Sequence, residues 1–334
     1  MKSHPNILSE FDLIARHFIR PTPRTALGPG DDAALLAPSS GAQIAVTSDM
    51  LISGVHFLPG TDPEKLGWKA LAVNLSDLAA MGAQPRWALL ACGLSKPDEN
   101  WLTGFSSGIF SCAQRYGIDL VGGDTTRGPL TLCVTALGEI PAGTALRRDA
   151  ARLNDDLWIS GLPGIAALGL AHRKGEMRLP PEILNACLDR FEKPKPRVEL
   201  GIALRKNALA RAAIDVSDGL LADAEHLAEA SKLDIAIDTM LLPECLPEGM
   251  PPVSSLTKKF QKARLSGGDD YELLFSAAPE RREDIGALGM QLDLPLWRIG
   301  RFVEGQGRVT LLGKRGETLP VFHKGYDHFA ENIQ

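Results

Sequence analysis

The chain has 334 residues, 44% of them hydrophobic, which is typical of a globular protein of two domains with a large core. A formal net charge of −5 without any run of Lys or Arg argues against nucleic-acid binding, and five scattered cysteines without Cys-x-x-Cys spacing argue against a disulfide framework or a zinc site. Residues 1–20 lack the apolar core of a signal peptide and no apolar run is long enough to span a membrane, so we expect a soluble, cytoplasmic protein.

Alternating helical and strand patterns predict an α/β chain. Helices are expected over residues 9–18, 64–81, 98–117, 165–174, 198–209 and 220–230, and strands over residues 43–46, 87–93, 234–238, 297–302 and 309–312. The proline-broken stretch after residue 174 is assigned no helix, and residues 193–197 favour a rigid solvated linker over a phosphate contact. We place a domain boundary near residue 150, which gives an N-terminal domain of residues 1–150 and a C-terminal domain of residues 151–334.

Acidic residues accompany two of the early elements. Residues 28–32 (GPGDD) predict a loop that enters a strand, and its acids are either solvated turn residues or cation ligands. The run Thr47-Ser48-Asp49 is expected to end the strand of residues 43–46, and three oxygen-bearing residues in that place are typical of a hard-metal site. His56, by contrast, lies between two apolar residues, and its local sequence favours a packed core or edge position.

The helix over residues 64–81 carries two polar residues, Asn74 and Asp77, on a face other than its leucine stripe. A solvated face is the usual explanation of such a pair. The neighbouring residues are nearly all small or apolar, however, so Asp77 is expected to be close-packed and to need a partner.

A Gly-Gly pair followed by an acid occurs twice. Residues 120–128 (LVGGDTTRG) lie between two apolar runs and predict a strand, a Gly-Gly turn and a second strand, and residues 266–275 (SGGDDYELLF) repeat the pattern. Glycines let backbone N–H groups approach a phosphate, and the adjacent Asp124 can hold a divalent cation against it. For residues 120–128 alone, a plain hairpin turn capped by Asp124 is the alternative.

Asp215 and Asp218 lie three residues apart at the start of a predicted helix, where helix capping explains Asp218 but not Asp215. If several acids of the chain converge, their charges need a counter-ion, because two charges ~4 Å apart repel by about 4 kcal/mol at an effective dielectric near 20. Oxygen ligands without His or Cys favour magnesium, and magnesium beside phosphate-facing glycines favours phosphoryl transfer. The candidate acids are Asp32, Asp49, Asp77, Asp124, Asp215 and Asp218.

The chain has no P-loop, protein-kinase or Gly-x-Ser-x-Gly signature. Its motifs are, in order, GDDAALL, TSDMLISGVHF, NLSDLAAMGAQP, VGGDTTRGPL, AIDVSDGL, SGGDDYELLF and KGYDHF, and together they closely resemble the thiamine-monophosphate kinase family over nearly the whole chain. The resemblance implies ATP-dependent conversion of thiamine monophosphate to thiamine diphosphate by direct in-line transfer, with several magnesium ions. It also implies the two-domain α/β fold (α+β type) of aminoimidazole ribonucleotide synthetase, with N-terminal domains pairing strands across a homodimer axis.

The same resemblance assigns roles to individual residues. Metal ligands fall on Asp32, Thr47, Ser48, Asp49, Asp77, Asp124, Asp215 and Asp218. ATP contacts fall on Tyr116, Gly123, Asp124, Arg148 and Ser217, and substrate contacts fall on His56, Asp269 and His323. Asp49, Asp124 and Arg148 are the residues expected to carry catalysis.

Two positions depart from the pattern of the family. Asp269 stands where relatives often have Glu, so its carboxylate is one methylene shorter; alternatively, Asp269 caps the Gly-Gly turn and Asp270 faces the ligand. His323 stands where relatives often carry a larger aromatic ring, and imidazole stacks less strongly on the rings of thiamine.

Two other functions fit the sequence less well. Selenophosphate synthetases and hydrogenase-maturation relatives of the same superfamily call for a reactive N-terminal or C-terminal Cys, whereas the first Cys here is Cys92, in an apolar stretch, and none follows Cys245. A non-enzymatic calcium-binding protein calls for an acidic calcium-loop pattern, which the sequence lacks.

Overall fold

The computed structural model describes residues 9–243, 257–321 and 325–326, which form a mixed α/β chain, as the sequence predicts. The chain divides into two compact units: Met1–Leu78 with Gln84–Ala142, and Ala79–Ala83 with Gly143–Gln334. The functional division at residue 150 stays a prediction. Within the described residues, no helix is both long enough and apolar enough to cross a membrane.

The first unit is built on one sheet and three helices within the described residues. Its elements in chain order are α1 (Glu10–His17), β1 (Ala42–Ile52), α2 (Pro63–Ala80), β2 (Gln84–Leu94), α3 (Glu99–Tyr116), β3 (Asp119–Arg127) and β4 (Thr131–Pro141). The strand order is β1-β4-β2-β3, in which β2 and β3 are parallel and the other pairs are antiparallel.

The two faces of this sheet differ in burial. Leu51, Leu132 and Val134 are buried on the face that α2 contacts. Side chains alternate along each strand, so the neighbouring residues point to the opposite face. Four large apolar side chains are exposed on that opposite face: Ile44, Val46, Met50 and Leu89.

α2 and α3 pack against each other without room for a side chain at Gly108. A Cβ atom on Gly108 would lie 1.8 Å from the carbonyl oxygen of Glu64 on α2. The leucines of the α2 stripe, together with Phe105 and Ile109 of α3, are fully buried, as their helical spacing predicts. The core of the first unit therefore lies between this helix pair and one face of the sheet.

Two strands extend beyond their predicted ends. β1 continues to Ile52, so Thr47-Ser48-Asp49 lies inside the strand, opposite residues 134–136 of β4, and does not end it. Gly122 and Gly123 lie inside β3, and β2 separates β3 from β4 in the sheet, so the predicted Gly-Gly hairpin turn is wrong. Pairing with strands distant in sequence overrides the local turn signal of the glycines.

The second unit contains a mixed seven-stranded sheet of order β11-β10-β7-β9-β5-β8-β6. Its strands are β5 (Asp156–Ser160), β6 (Ala213–Val216), β7 (Asp234–Asp238), β8 (Glu272–Ala277), β9 (Leu296–Val303), β10 (Val309–Leu312) and β11 (Thr318–Leu319). Its helices are α4 (Ile165–Arg173), α5 (Pro181–Glu192), α6 (Val198–Lys206), α7 (Leu220–Ser231), α8 (Thr257–Ser266) and α9 (Arg282–Gln291). The apolar face of α7 packs into a core with the sheet.

Three helices of the described residues have no counterpart in the sequence analysis: α8, α9 and, most clearly, α5. Its first residue is Pro181, and proline is favourable at the first position of a helix because no intrahelical N–H bond is lost there. The interpretation of the stretch after residue 174 as proline-broken and without a helix is therefore wrong. Buried Ile183, Cys187 and Phe191 follow with helical spacing along α5.

Two buried acids lie close together at the start of β8. Asp270 is 1% exposed, and its carboxylate accepts hydrogen bonds from the N–H groups of Gly164 and Ala166 at the start of α4, at 2.5 and 3.2 Å. Burial opposes the ionisation of Glu272, but Arg197 and Arg190 outweigh it and hold its pKa below the usual range. These contacts fix the chain on the C-terminal side of the second Gly-Gly pair.

Asp270 should make stability depend on pH. Burial raises its pKa to about 8, in spite of the two backbone hydrogen bonds. The folded state therefore holds this proton more tightly than the unfolded state, so the stabilisation is complete below about pH 4 and is lost as the pH rises through 8. We predict that unfolding free energies of the wild type, relative to Asp270→Asn, fall by on the order of 1 kcal/mol per pH unit between these limits.

Denaturant titrations at several pH values measure this difference. Asp189→Asn makes the same change at an exposed position of α5 and should show no such slope. A wild-type advantage over Asp270→Asn that stays constant or grows with pH would contradict the assignment.

Candidate active site

β1 and α2 bring together three of the predicted oxygen ligands. Thr47 Oγ1 donates to Asp77 Oδ2 at 2.5 Å, and the N–H of Asp49 donates to Asn74 Oδ1 at 3.1 Å. Asn74 is fully buried and lies one helical turn before Asp77 on α2. The expectation that Asp77 needs a partner is confirmed, and the partner is Thr47 on β1; Asp77 itself is half-buried.

Asp49 carries an electrostatic cost in this position. Its pKa is raised to about 6, first by burial and then by the negative charge of Asp77. At neutral pH Asp49 is therefore ionised although burial and the charge of Asp77 disfavour its charged form, and a nearby cation would stabilise that form. The β1–α2 acidic group, which we define as Thr47, Asp49 and Asp77, is thus suited to cation binding.

The donor set fits magnesium held jointly with a phosphate. No three His, Cys, Asp or Glu side chains among the described residues lie close enough to form a metal site from protein ligands alone. Magnesium commonly binds through one or two carboxylates and completes its shell with water and substrate phosphate oxygens. Two carboxylates and one hydroxyl, all oxygen donors, match that requirement.

Ser48 and Asp32 do not join this group through their side chains. Ser48 points to the opposite face of the sheet from its two neighbours, where its hydroxyl hydrogen-bonds with Thr135 Oγ1 at 2.9 Å. Asp32 is exposed in the loop before β1, and its N–H donates to Asp31 Oδ1 at 2.8 Å. The run of three oxygen-bearing residues therefore divides between the two faces because it lies inside a strand.

β3 places Gly123 and Asp124 at the other edge of the sheet. A Cβ atom on Gly123 would lie 1.8 Å from the carbonyl oxygen of Leu90, so glycine is required there for the close approach of β3 to β2. Asp124 is exposed, and its charge adds to burial in raising the pKa of Cys92 to about 12. β4 and β2 separate β3 from β1, which corresponds to roughly 14 Å at the usual strand spacing.

Two ring-bearing residues that were predicted to contact ligands are half-buried in the first unit. His56 Nδ1 accepts from the N–H of Ile52 at 3.0 Å, so neutral His56 carries its proton on Nε2 and presents that nitrogen as a donor. Tyr116 is the last residue of α3 and lies edge-on to Trp68, with ring centroids 6.2 Å apart. Both rings thus have fixed surroundings.

In the second unit, the start of α7 brings Asp218 close to an acid that the sequence analysis missed. Asp223 Oδ2 accepts from the N–H groups of Asp218 and Gly219 at 3.1 and 3.0 Å. The pKa of Asp223 is raised to about 7 by burial and by the charge of Asp218, while those backbone hydrogen bonds and Arg148 act to lower it. α7 receives no cap from the Asp218 side chain, so the capping explanation of Asp218 is wrong.

The turn between β6 and α7 also anchors the segment after the second Gly-Gly pair. The N–H of Asp269 donates to the carbonyl of Ser217, and the N–H of Tyr271 donates to the carbonyl of Val216, both at 2.8 Å. Asp215 precedes this turn in β6 and is 4% exposed. The N–H of Asp269 is therefore hydrogen-bonded to the segment that carries Asp215 and Asp218, the predicted metal ligands of the second unit.

The residues on either side of Asp270 adopt backbone conformations that side chains disfavour. Asp269 has φ 67° and Tyr271 has φ 52°, in the left-handed region, at a cost of about 1–3 kcal/mol each. Such strain persists where the surrounding contacts determine it, and it concentrates at functional sites. Asp270 is buried against α4, which excludes the alternative in which it faces a ligand, whereas Asp269 is partly exposed.

Two predicted site residues remain, Arg148 and His323. Arg148 is exposed in the helical turn Arg148–Ala150, whose carbonyl at Arg148 accepts from Ser231 of α7 at 2.6 Å. His323 lies outside the described residues. Of the residues missed, Asp223 had a signal in the sequence, an acid in the first turn of a helix.

Comparison with known proteins gives consistent matches. A family model described as AIR synthase related protein, N-terminal domain, matches residues 30–140. Thiamine-monophosphate kinase of Escherichia coli (strain K12) is 40% identical over 327 residues, which cover 96% of this chain and 98% of the relative. The crystal structure of thiamine-monophosphate kinase from Stenotrophomonas maltophilia K279a has a TM-score of 0.79 and 44% identity, and the match covers 92% of this chain and 95% of that chain.

A further solved structure, described as AaThiL complexed with AMPPCP and TMP, has a TM-score of 0.73 and 31% identity, with 88% of this chain and 89% of that chain covered. These matches extend over nearly the whole length and confirm both the fold class and the resemblance carried by the ordered motifs. The chain therefore belongs to the thiamine-monophosphate kinase family.

Proposed function

We propose that this enzyme catalyses the ATP-dependent phosphorylation of thiamine monophosphate to thiamine diphosphate. The observation that supports this most strongly is the likeness of 88% of the chain to AaThiL, whose structure is described as complexed with AMPPCP and TMP. The β1–α2 acidic group supports it independently, because its raised carboxylate pKa and oxygen donors suit a cation that accompanies a polyphosphate.

The magnesium ligands in this proposal are the eight residues that the resemblance assigns. The β1–α2 acidic group forms the centre of this ligand set, and Ser48, which lies outside that group, is the weakest proposed ligand because its hydroxyl faces the other side of the sheet. The further ligands are Asp32 and Asp124 in the first unit and Asp215 and Asp218 in the second. When bound, magnesium neutralises phosphate charge and so lowers the cost of bringing two anionic substrates together.

Transfer proceeds in line in this proposal. A terminal phosphate oxygen of thiamine monophosphate attacks the γ-phosphorus of ATP, the bond to the bridging oxygen of ADP breaks, and no phosphoenzyme forms. The attacking oxygen is already ionised, so no strong general base is needed. Arg148 contributes positive charge to the phosphoryl group in the transition state. ATP is held by Tyr116, Gly123, Asp124, Arg148 and Ser217.

The substrate contacts are assigned by the chemistry of each side chain. His56 is assigned to an oxygen of thiamine monophosphate, and its neutral ring carries the proton on Nε2 because Nδ1 accepts from the N–H of Ile52. Asp269 offers negative charge to the cationic thiazolium ring. His323 is assigned to ring stacking.

An assay of the products tests the proposal directly. Purified protein with magnesium, ATP and thiamine monophosphate should give thiamine diphosphate and ADP, and phosphorus NMR identifies both products. Asp124→Asn keeps the side-chain volume and removes one ligand charge, so it should lose nearly all turnover, whereas Asp189→Asn at an exposed position of α5 should match the wild type. Formation of AMP, or no turnover of thiamine monophosphate by the wild type, would refute the proposed reaction.

We infer a homodimer that forms through the sheet of the first unit. Val46 and Met50 are 62% and 52% exposed on the sheet face turned away from α2, an unusual degree of exposure for large apolar side chains of a sheet. β1 is also an edge strand of eleven residues, and a long edge strand with apolar side chains favours pairing with another chain.

Analytical ultracentrifugation should therefore show a dimer at micromolar concentration. Val46→Lys should shift the population toward monomer, because it places a charge on the apolar face. Met290→Lys makes a comparable change on α9, where Met290 is 81% exposed, and should leave the dimer unchanged. A monomeric wild type, or equal behaviour of the two variants, would argue against this interface.

A further inference from the structure

The hydroxyl of Tyr271 contacts the carboxylate of Asp269. Tyr271 Oη donates to Asp269 Oδ1 at 3.0 Å, across one intervening residue. Tyr271 is 8% exposed, whereas Asp269 is partly exposed. We propose that Tyr271 is a positioning residue, which orients the Asp269 carboxylate toward the cationic ring of thiamine monophosphate; this rests on the function proposed above.

The backbone of this segment is held by contacts that do not involve the hydroxyl. The N–H groups of Asp269 and Tyr271 donate to the carbonyls of Ser217, after β6, and Val216, the last residue of β6, and the carboxylate of Asp270 accepts from the start of α4. A Cβ atom on Gly268 would lie 2.5 Å from the carbonyl oxygen of Ser217, so the segment also lies tightly against the turn between β6 and α7. What the hydroxyl adds is therefore control of the Asp269 side chain.

The choice of donor matters for a cationic ligand. A Tyr hydroxyl donates a hydrogen bond without carrying charge, so it fixes a carboxylate oxygen and leaves the negative charge in place. A Lys or Arg in the same place would orient the carboxylate but would also neutralise it and repel a cation. The contact of Tyr271 with Asp269 thus suits a site that holds a carboxylate ready for a positively charged partner.

Tyr271→Phe tests the role, since it keeps the buried ring and removes only the donor. We expect the KM for thiamine monophosphate to rise by about five- to thirtyfold, while kcat and the KM for ATP change less than about twofold. Thr239→Val is the matched control, because it also removes one hydroxyl in the second unit, the donor to the carbonyl of Leu312 at 2.8 Å. It should lower the melting temperature and leave both KM values unchanged.

A double-mutant cycle then shows whether Tyr271 acts through Asp269. In an Asp269→Ala background, Tyr271→Phe should have no further effect on the KM for thiamine monophosphate. The same fold-change in both backgrounds, or an unchanged KM in Tyr271→Phe or in Asp269→Ala, would overturn the proposal. A lowered melting temperature with unchanged KM values would assign the hydroxyl to stability alone.

Two further variants keep the test decisive if Tyr271→Phe does not fold. Tyr271→His retains a ring N–H donor and Tyr271→Met has none, so the His variant must have the lower KM for thiamine monophosphate. Wild-type turnover separates this inference from the proposed function. A wild type that converts thiamine monophosphate while the variants show no difference in KM refutes the role of Tyr271 only, whereas a wild type without turnover refutes the function itself.

Discussion

Repulsion between neighbouring carboxylates of the candidate active site is the constraint on which the rest of this structure depends. β1 and α2 hold Asp49 beside Asp77, although burial and the neighbouring charge raise the pKa of Asp49 to about 6. The second unit repeats the arrangement, since burial and then the charge of Asp218 raise the pKa of Asp223 to about 7. A fold selected for stability alone would separate such pairs. The presence of such a pair in each unit is the physical reason for proposing that this chain binds cations.

The scaffold supports these acids through rigid contacts with neutral groups. Asn74 is buried and binds the backbone of Asp49, and the backbone N–H groups at the start of α7 bind Asp223. The strained residues Asp269 and Tyr271 are held in the same manner, by two carbonyls at and just after the end of β6. Neutral hydrogen-bonding groups fix position without cancelling charge, so the carboxylates keep the negative potential that a cation or a cationic ring requires.

The sequence predicts the fold class and six of the nine α-helices within the described residues, because apolar periodicity and ordered motifs are local signals. It does not predict which acids meet. Ser48 lies between Thr47 and Asp49 in the sequence, yet its side chain points to the other face of the sheet, because β1 continues through all three residues. Likewise, the pairing of β3 with β2 places Gly123 inside a strand. The hydrogen bond of Tyr271 with Asp269 accompanies a left-handed backbone at Asp269, which the local sequence does not predict. Strand pairing and backbone strain depend on residues distant in sequence, which local patterns do not report.

The central claim is that the β1–α2 acidic group exists for a cation and at the expense of stability. Thermal unfolding of the wild type and Asp49→Asn near pH 8, with and without magnesium, tests it most directly. Because the pKa of Asp49 is raised, its contribution to the unfolding free energy is complete below about pH 4 and is lost as the pH rises through 6. Near pH 8 without metal, Asp49→Asn should therefore be more stable than the wild type by about 1–2 kcal/mol. With magnesium and an ATP analogue the wild type should gain the larger increase in melting temperature. A less stable Asp49→Asn without metal, together with equal stabilisation of both proteins by magnesium, would contradict the account.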